Sequence, residues 1–175
     1  MNYQEFLESK KKVEETDGID IELDDLNPVL FDYQKAIVKK ALKKKRFALF
    51  EACGMGKTLQ QLEWAYQVNK ETNMPVLILA PLGVTVQTAY EEAPLLGYVV
   101  NVLRDDFSID NGLYITNYEQ LNNIDTSLFA GIVLDESSVL KNFTGKTRVQ
   151  LTNAFKNTKY RLCCTATPAP NDLME

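Results

Sequence analysis

Apolar and polar positions along this 175-residue chain alternate between two textures. Unbroken apolar or β-branched runs predict strands at 47–50, 76–80, 98–103, 113–116, 132–134 and 160–165. A run such as Val-Leu-Ile-Leu-Ala, with no polar alternate, suits a strand buried on both faces of a parallel sheet. Helical spacing predicts helices at about 57–70, 85–92, 118–122 and 147–155. An earlier helical pattern over 31–45 places Phe31, Ile37, Val38, Ala41 and Leu42 on an apolar side opposite a basic one. Alternating β and α elements with right-handed crossovers give an α/β fold, a doubly wound three-layer α/β/α sandwich with a mainly parallel central sheet. Ligands of such sheets lie beyond the carboxyl ends of the strands, which here lead into Glu51, Asp135 and Thr165.

The first residues follow neither texture. Tyr3, Phe6 and Leu7 offer a short docking helix, and Asp17-Gly18 interrupts whatever precedes it. Asn27-Pro28 then marks a turn, dividing an acidic N-terminal leader, 1–27, from the body of the fold, 28–175. The leader holds nine acidic side chains against three lysines, a balance of −6 within a total of −5, so the rest sums to +1. In that remainder Lys35, Lys39, Lys40, Lys43, Lys44, Lys45 and Arg46 gather around one helix. Such a cluster is ordinarily a solvated face, so charge neither demands nor excludes a nucleic-acid partner.

Composition narrows the chemistry. Hydrophobic content of 45% suits one soluble domain, no apolar run approaches the length of a membrane span, and the polar start is no secretory signal. Cys53, Cys163 and Cys164 lack zinc spacing and lie in apolar sequence, which suggests reduced core thiols and a cytoplasmic location. There is no histidine, so acid–base work falls to carboxylates, Lys, Tyr or Cys.

Three strand ends carry candidate chemistry. The apolar run Phe47-Ala48-Leu49-Phe50 delivers the chain into Glu51-Ala52-Cys53-Gly54-Met55-Gly56-Lys57-Thr58. In a phosphate-binding loop the glycines let backbone N–H groups approach phosphate oxygens, and the next helix presents its positive end. Gly54, Met55, Gly56, Lys57 and Thr58 would then cradle a nucleotide. Lys57 would reach the β- and γ-phosphates, and the Thr58 hydroxyl would join the shell of Mg²⁺. Glu51 departs from the glycine of the strict pattern, and an ordinary helix-start turn is the alternative. The buried run Ile132-Val133-Leu134 ends in Asp135-Glu136. In a phosphate-loop protein the first carboxylate holds the metal and the second polarises the attacking water. Asp135 is accordingly the metal residue and Glu136 the general base; the alternative is an acidic pair at a helix start. Thr165-Ala166-Thr167-Pro168 closes the last strand with hydroxyls able to bond a neighbouring carboxylate, or is a simple Thr-Pro turn.

Taken in order, these segments resemble the first RecA-like lobe of a superfamily-two helicase or translocase, with Swi/Snf-type and phage-encoded members the most similar. The resemblance covers about residues 30–172. Phe31-Asp32-Tyr33-Gln34-Lys35-Ala36-Ile37 resembles the adenine-reading segment, which implies that Gln34 meets the adenine edge; a surface helix-start glutamine is the alternative. The 51–58 segment matches motif I, whose family form tolerates a first residue other than glycine. Val76-Leu77-Ile78-Leu79-Ala80-Pro81 resembles motif Ia, and Leu113-Tyr114-Ile115-Thr116-Asn117-Tyr118-Glu119 resembles motif Ib. The resemblance implies nucleic-acid contacts at Pro81, Leu82, Gly83, Thr116, Asn117 and Lys141. Asp135-Glu136-Ser137-Ser138 stands where Asp-Glu-Ala-His or Asp-Glu-Ala-Asp is usual, followed by Leu140-Lys141-Asn142. Thr165, Ala166, Thr167, Pro168 and Asn171 match motif III, so coupling falls to Ser138, Thr165 and Thr167. Ser138 replaces the usual His or Asp, and a hydroxyl bridges the two motifs more weakly than a charged group.

What the resemblance implies is the ATP-binding N-terminal motor lobe of an ATP-dependent DNA helicase or translocase, a hydrolase using ATP and Mg²⁺. Its partners would be nucleic acid, DNA in particular, and a second RecA-like lobe of the same polypeptide. With the sequence ending just after motif III, near-inactivity is expected of the isolated lobe. A nucleotide-dependent switch or binding module is the rival class. A phosphate-loop kinase is disfavoured, because it has no need of a Glu to activate water.

Overall fold

The computed structural model describes residues 17–103, 108–137 and 145–168. Six strands form one sheet: β1 (Arg46–Phe50), β2 (Val76–Ala80), β3 (Val100–Val102), β4 (Leu113–Asn117), β5 (Gly131–Leu134) and β6 (Tyr160–Thr165). They lie in the order β1-β6-β5-β2-β4-β3, and every pair is parallel. All carboxyl ends therefore meet at one edge. The middle of the sheet, β6, β5, β2 and β4, carries the apolar runs that the pattern marks as buried on both faces.

Alternation along β2 shows how the two faces are filled. Val76, Ile78 and Ala80 enter a cluster with Val38, Leu42, Leu62, Trp64 and Val68 from α1 (Asp32–Lys44) and α2 (Lys57–Thr72). Leu77 and Leu79 enter the opposite cluster with Leu121, Phe129, Leu151 and Phe155, where α4 (Gly145–Ala154) lies. This is the three-layer α/β/α sandwich. A short helix, α3 (Leu82–Gln87), follows β2 and runs into a π-turn at Thr88–Glu92.

Residues 17–27 are packed on the lobe. Gly18 and Ile19 donate their backbone N–H groups to the Lys43 and Leu42 carbonyls, at 3.2 and 3.1 Å. These are among the terminal carbonyls that helix α1 cannot satisfy internally. Ile19 and Leu26 are buried in the core. Asn27 donates its backbone N–H to Glu63 Oε1 at 3.3 Å and its side-chain amide to the Leu96 carbonyl at 2.8 Å.

Candidate active site

Strand β1 is an edge strand, and beyond Phe50 the chain turns through 51–56 into α2. Gly54 and Gly56 sit at φ +81° and +74°, the left-handed region that side-chain-bearing residues avoid. Gly56 is the N-cap of α2 and has no side chain to bond the first-turn amides. Those N–H groups and the positive end of a 16-residue helix therefore face the loop. Lys57 folds back over the loop, and its Nζ donates to the Glu51 and Ala52 carbonyls at 2.9 Å each.

The loop is tied to the start of α1. Tyr33 Oη and Gln34 Nε2 both donate to the Met55 carbonyl at 3.0 Å, and Gln34 Oε1 accepts from Phe31 N at 3.0 Å. A primary amide has two hydrogens and two lone pairs, so each end of Gln34 keeps one position beyond these bonds. Phe31 and Tyr33 are exposed and stack with ring centroids 6.1 Å apart.

The two carboxylates follow β5, separated from β1 only by β6. Asp135 is fixed at three points. Its N–H donates to the Leu79 carbonyl at 2.8 Å, Tyr118 Oη donates to its carbonyl at 2.6 Å, and Gln61 Nε2 donates to its Oδ1 at 2.7 Å. Burial pushes its carboxyl above the usual range, against the opposing pull of the Gln61 bond and the more distant Lys57 charge. Burial likewise pushes the Tyr118 phenol up, so Tyr118 remains a donor. Glu136 sits at φ +51°, a left-handed position held by a residue with a Cβ. Strain of this kind, about 1–3 kcal/mol, persists only where the surroundings enforce it. Here Ser137 N donates to the Cys164 carbonyl at 2.7 Å, and Thr165 Oγ1 donates to Glu136 Oε1 at 2.8 Å. Thr165 Oγ1 also accepts from Thr167 N at 3.1 Å.

Parallel strands thus bring the glycine loop, Asp135-Glu136 and Thr165 to one edge. Spacing along the chain did not point to Gln60, Gln61 or the Tyr118 hydroxyl. Gln60 Nε2 donates to Glu51 Oε2 at 2.7 Å, and both glutamines are almost fully buried. The available signal was two adjacent amides on the sheet-facing side of a helix, where apolar residues belong. Cys53 departs from the core thiol that apolar sequence suggests: it is exposed on the loop, whereas Cys164 is buried and its thiol pushed well up by desolvation. Ser138, Lys141 and Asn171 lie outside the described residues. Among the described residues no cluster of three His, Cys, Asp or Glu could hold a metal alone. No helix there is long and apolar enough to cross a membrane.

The adjacent strands β2 and β4 carry the other candidate loops to the same edge. Leu82, Thr116 and Asn117 line one groove of about 290 Å³ with Thr85, Val86, Val102, Leu103 and Gln120. Leu82 and Gly83 are exposed. Thr116 is buried, and its hydroxyl donates to the Leu103 carbonyl at 3.3 Å, so it forms groove wall. Asn117 Oδ1 accepts from the N–H groups of Glu119 and Gln120 at 2.9 and 3.1 Å, capping the 3₁₀ turn that follows.

A six-stranded parallel sheet with a glycine-rich loop after its edge strand and Asp-Glu after a nearby strand is the architecture of a RecA-like lobe of a superfamily-two helicase. Residues 27–170 match the family described as the Type III restriction enzyme, res subunit, and the chain belongs to that family. No curated protein shows a sequence match. Among solved structures, the UvsW helicase from bacteriophage T4 is 19% identical, with a TM-score of 0.66 over 95% of this chain and 61% of that one. The Sulfolobus solfataricus SWI2/SNF2 ATPase core, solved in complex with double-stranded DNA, is 26% identical, with a TM-score of 0.68 over 87% of this chain and 35% of that one. The Pyrococcus furiosus Hef helicase domain is 20% identical, with a TM-score of 0.65 over 81% of this chain and 34% of that one. This chain spans less than two thirds of each of these structures.

Proposed function

We propose that the lobe binds ATP with Mg²⁺ at the carboxyl edge of β1, β6 and β5, and serves as the N-terminal motor lobe of an ATP-dependent DNA translocase or helicase. The observation that carries this is the meeting of four features there: a left-handed glycine loop, an uncapped helix start, Lys57, and the Asp135-Glu136 pair. The fit to a nucleotide is supported at Gly54, where even an added Cβ would meet nothing within 4 Å, so the loop backbone is open to an approaching phosphate.

Gly54, Met55, Gly56 and Thr58 bind phosphate oxygens through the loop and first-turn amides, and Lys57 exchanges the Glu51 and Ala52 carbonyls for them. Gln34 spends its remaining donor and acceptor on the adenine edge. Thr58 and Asp135 would hold Mg²⁺, which when bound neutralises charge on the phosphates. A magnesium ion takes one or two carboxylates plus phosphate and water, so a protein cluster of three ligands is not required. Glu136 takes a proton from the attacking water, and the Thr165 hydroxyl holds it in place. The groove beside Pro81, Leu82, Gly83 and Asn117 is the nucleic-acid face, with Lys141 and Ser138 as further contact and coupling residues. An arginine finger is worth about 10³–10⁵ in rate, so turnover by this lobe without a second one should be very slow.

Lys57→Ala tests the core of this reading. Calorimetry with Mg²⁺ should show ATP binding lost or severely weakened, with the fold unchanged, because Lys57 bonds loop carbonyls at the surface. Equal affinity in both proteins would remove the nucleotide site, and the motor with it.

A further inference from the structure

We infer that Gln61 is a positioning residue for the metal site: it sets the Asp135 carboxylate and thereby the Mg²⁺-dependent part of nucleotide affinity. This deepens the proposed function and rests on its assignment of Asp135 to the metal.

Gln61 sits on α2 one turn after Lys57-Thr58, on the side turned to the sheet, and it is only 2% exposed. An amide in such a place is costly unless its polar atoms are bonded. Its Nε2 finds Asp135 Oδ1 at 2.7 Å, across 74 residues of chain. That is short for an N–H···O bond and typical of a charged acceptor. The backbone of Asp135 is meanwhile fixed by Leu79 and Tyr118. Gln61 thus supplies what the backbone bonds cannot, a restraint on the carboxylate's own rotation.

The choice of residue type matters. A lysine or arginine here would neutralise Asp135 and compete with a cation for it. A glutamine donates a hydrogen bond while leaving the negative charge intact. Hydrogen-bonding partners of metal-binding carboxylates act in this way, and their removal typically costs about 10–100-fold in metal affinity. The neighbouring Gln60 performs a different task from the same turn, bonding Glu51 and the Met55 carbonyl at 2.7 and 3.4 Å. Of the two adjacent amides, one steadies the phosphate loop and the other the carboxylate facing it.

The test is ATP affinity measured by calorimetry on this chain, in Mg²⁺ and in EDTA, for wild type, Gln61→Met and Gln61→Asn. Methionine keeps the length and helix propensity without the N–H; asparagine keeps the amide but is one methylene short. Both should lose about tenfold in affinity with Mg²⁺ and retain wild-type affinity in EDTA, with thermal unfolding showing a folded protein. Unchanged Mg²⁺ affinity in both variants would overturn the inference. So would a parallel fall in both media, which would make Gln61 a support of the phosphate loop. Failure of both variants to fold would make it core packing and overturn it equally. A wild-type protein whose ATP affinity ignores Mg²⁺ would instead refute the metal assignment of Asp135 itself, an outcome visible before any variant is made.

Discussion

Asp135 is a carboxylate drawn largely out of water and held by a neutral amide, and that has a consequence for stability. Its carboxyl is pushed above the usual range, chiefly by burial. The folded chain therefore holds this proton to higher pH than the unfolded chain does. The contribution to stability is fully present below the unfolded value and is lost as pH rises through the raised, folded one. Above the raised value, ionising Asp135 costs the folded chain more than the unfolded one. Asp135→Asn keeps the shape and an oxygen for Gln61, so it should be more stable than wild type at pH 7. For a chain of this size each kcal/mol regained is worth about 2–4 °C in Tm. The advantage should shrink as pH falls towards the ordinary carboxylate range, while Mg²⁺-dependent ATP binding is lost throughout. Calorimetric scans at neutral and mildly acid pH check this; a variant less stable than wild type at pH 7 would refute the account of Asp135.

Among the elements, the glycine loop with α2 is the one whose conformation shapes the candidate site, and its two glycines are not equivalent. A Cβ at Gly54 meets nothing, whereas one at Gly56 would lie 2.3 Å from Gln34 Nε2. Gly54→Ala should therefore cost only the left-handed penalty, about 1–2 kcal/mol. Gly56→Ala should cost more, because the Gln34 amide must also leave the Met55 carbonyl. Urea unfolding separates the two, and equal losses would mean that the loop is not anchored through Gln34. The same contrast marks what could be read from sequence. The run at 76–80 became β2 without adjustment, because an apolar strand buried on both faces leaves no other option, and the 160–165 run became β6, with Arg161 and Cys163 half-buried on one face. The 98–103 run shrank to Val100–Val102, since Tyr98 turns aside to donate to Glu63 Oε2 at 2.5 Å and stack on Tyr66. The helix expected at 85–92 begins earlier, at Leu82 after Pro81, and ends as a π-turn. The segment at 118–122 winds as a 3₁₀ turn, Tyr118–Asn123, capped by Asn117. Lys57 and Asp135 stood out because motifs are local. Gln61 and the Tyr118 hydroxyl did not, because their bonds to Asp135 span 74 and 17 residues, and only the sheet order brings them together.

For the molecule as a whole, charge is arranged differently from its distribution along the chain. Asp17, Asp20 and Glu22 pair with Lys45, Lys43 and Lys39, the last two pairs at 3.7 and 3.1 Å. Part of the basic side of α1 is thus covered by the acidic segment, which weakens it as a nucleic-acid surface and leaves the groove after β2 and β4 as the better candidate. Contacts there would be to the phosphate backbone, insensitive to sequence and weakened steeply by salt. Gly83 offers a clean probe: it is exposed, and a side chain added there meets nothing within 4 Å. Gly83→Glu, in the first turn of α3, should not lower Tm but should set a negative charge against the DNA, lowering affinity for a labelled duplex severalfold at low salt, with the difference fading as salt rises. Thr116→Ala should do the reverse. Its hydroxyl is spent on the Leu103 carbonyl inside the fold, so the loss should be about 1 kcal/mol of stability with DNA affinity retained. Fluorescence anisotropy alongside thermal unfolding reads both variants. If Gly83→Glu binds DNA like wild type, the track does not pass over this edge, and the proposed motor would have to hold its nucleic acid elsewhere.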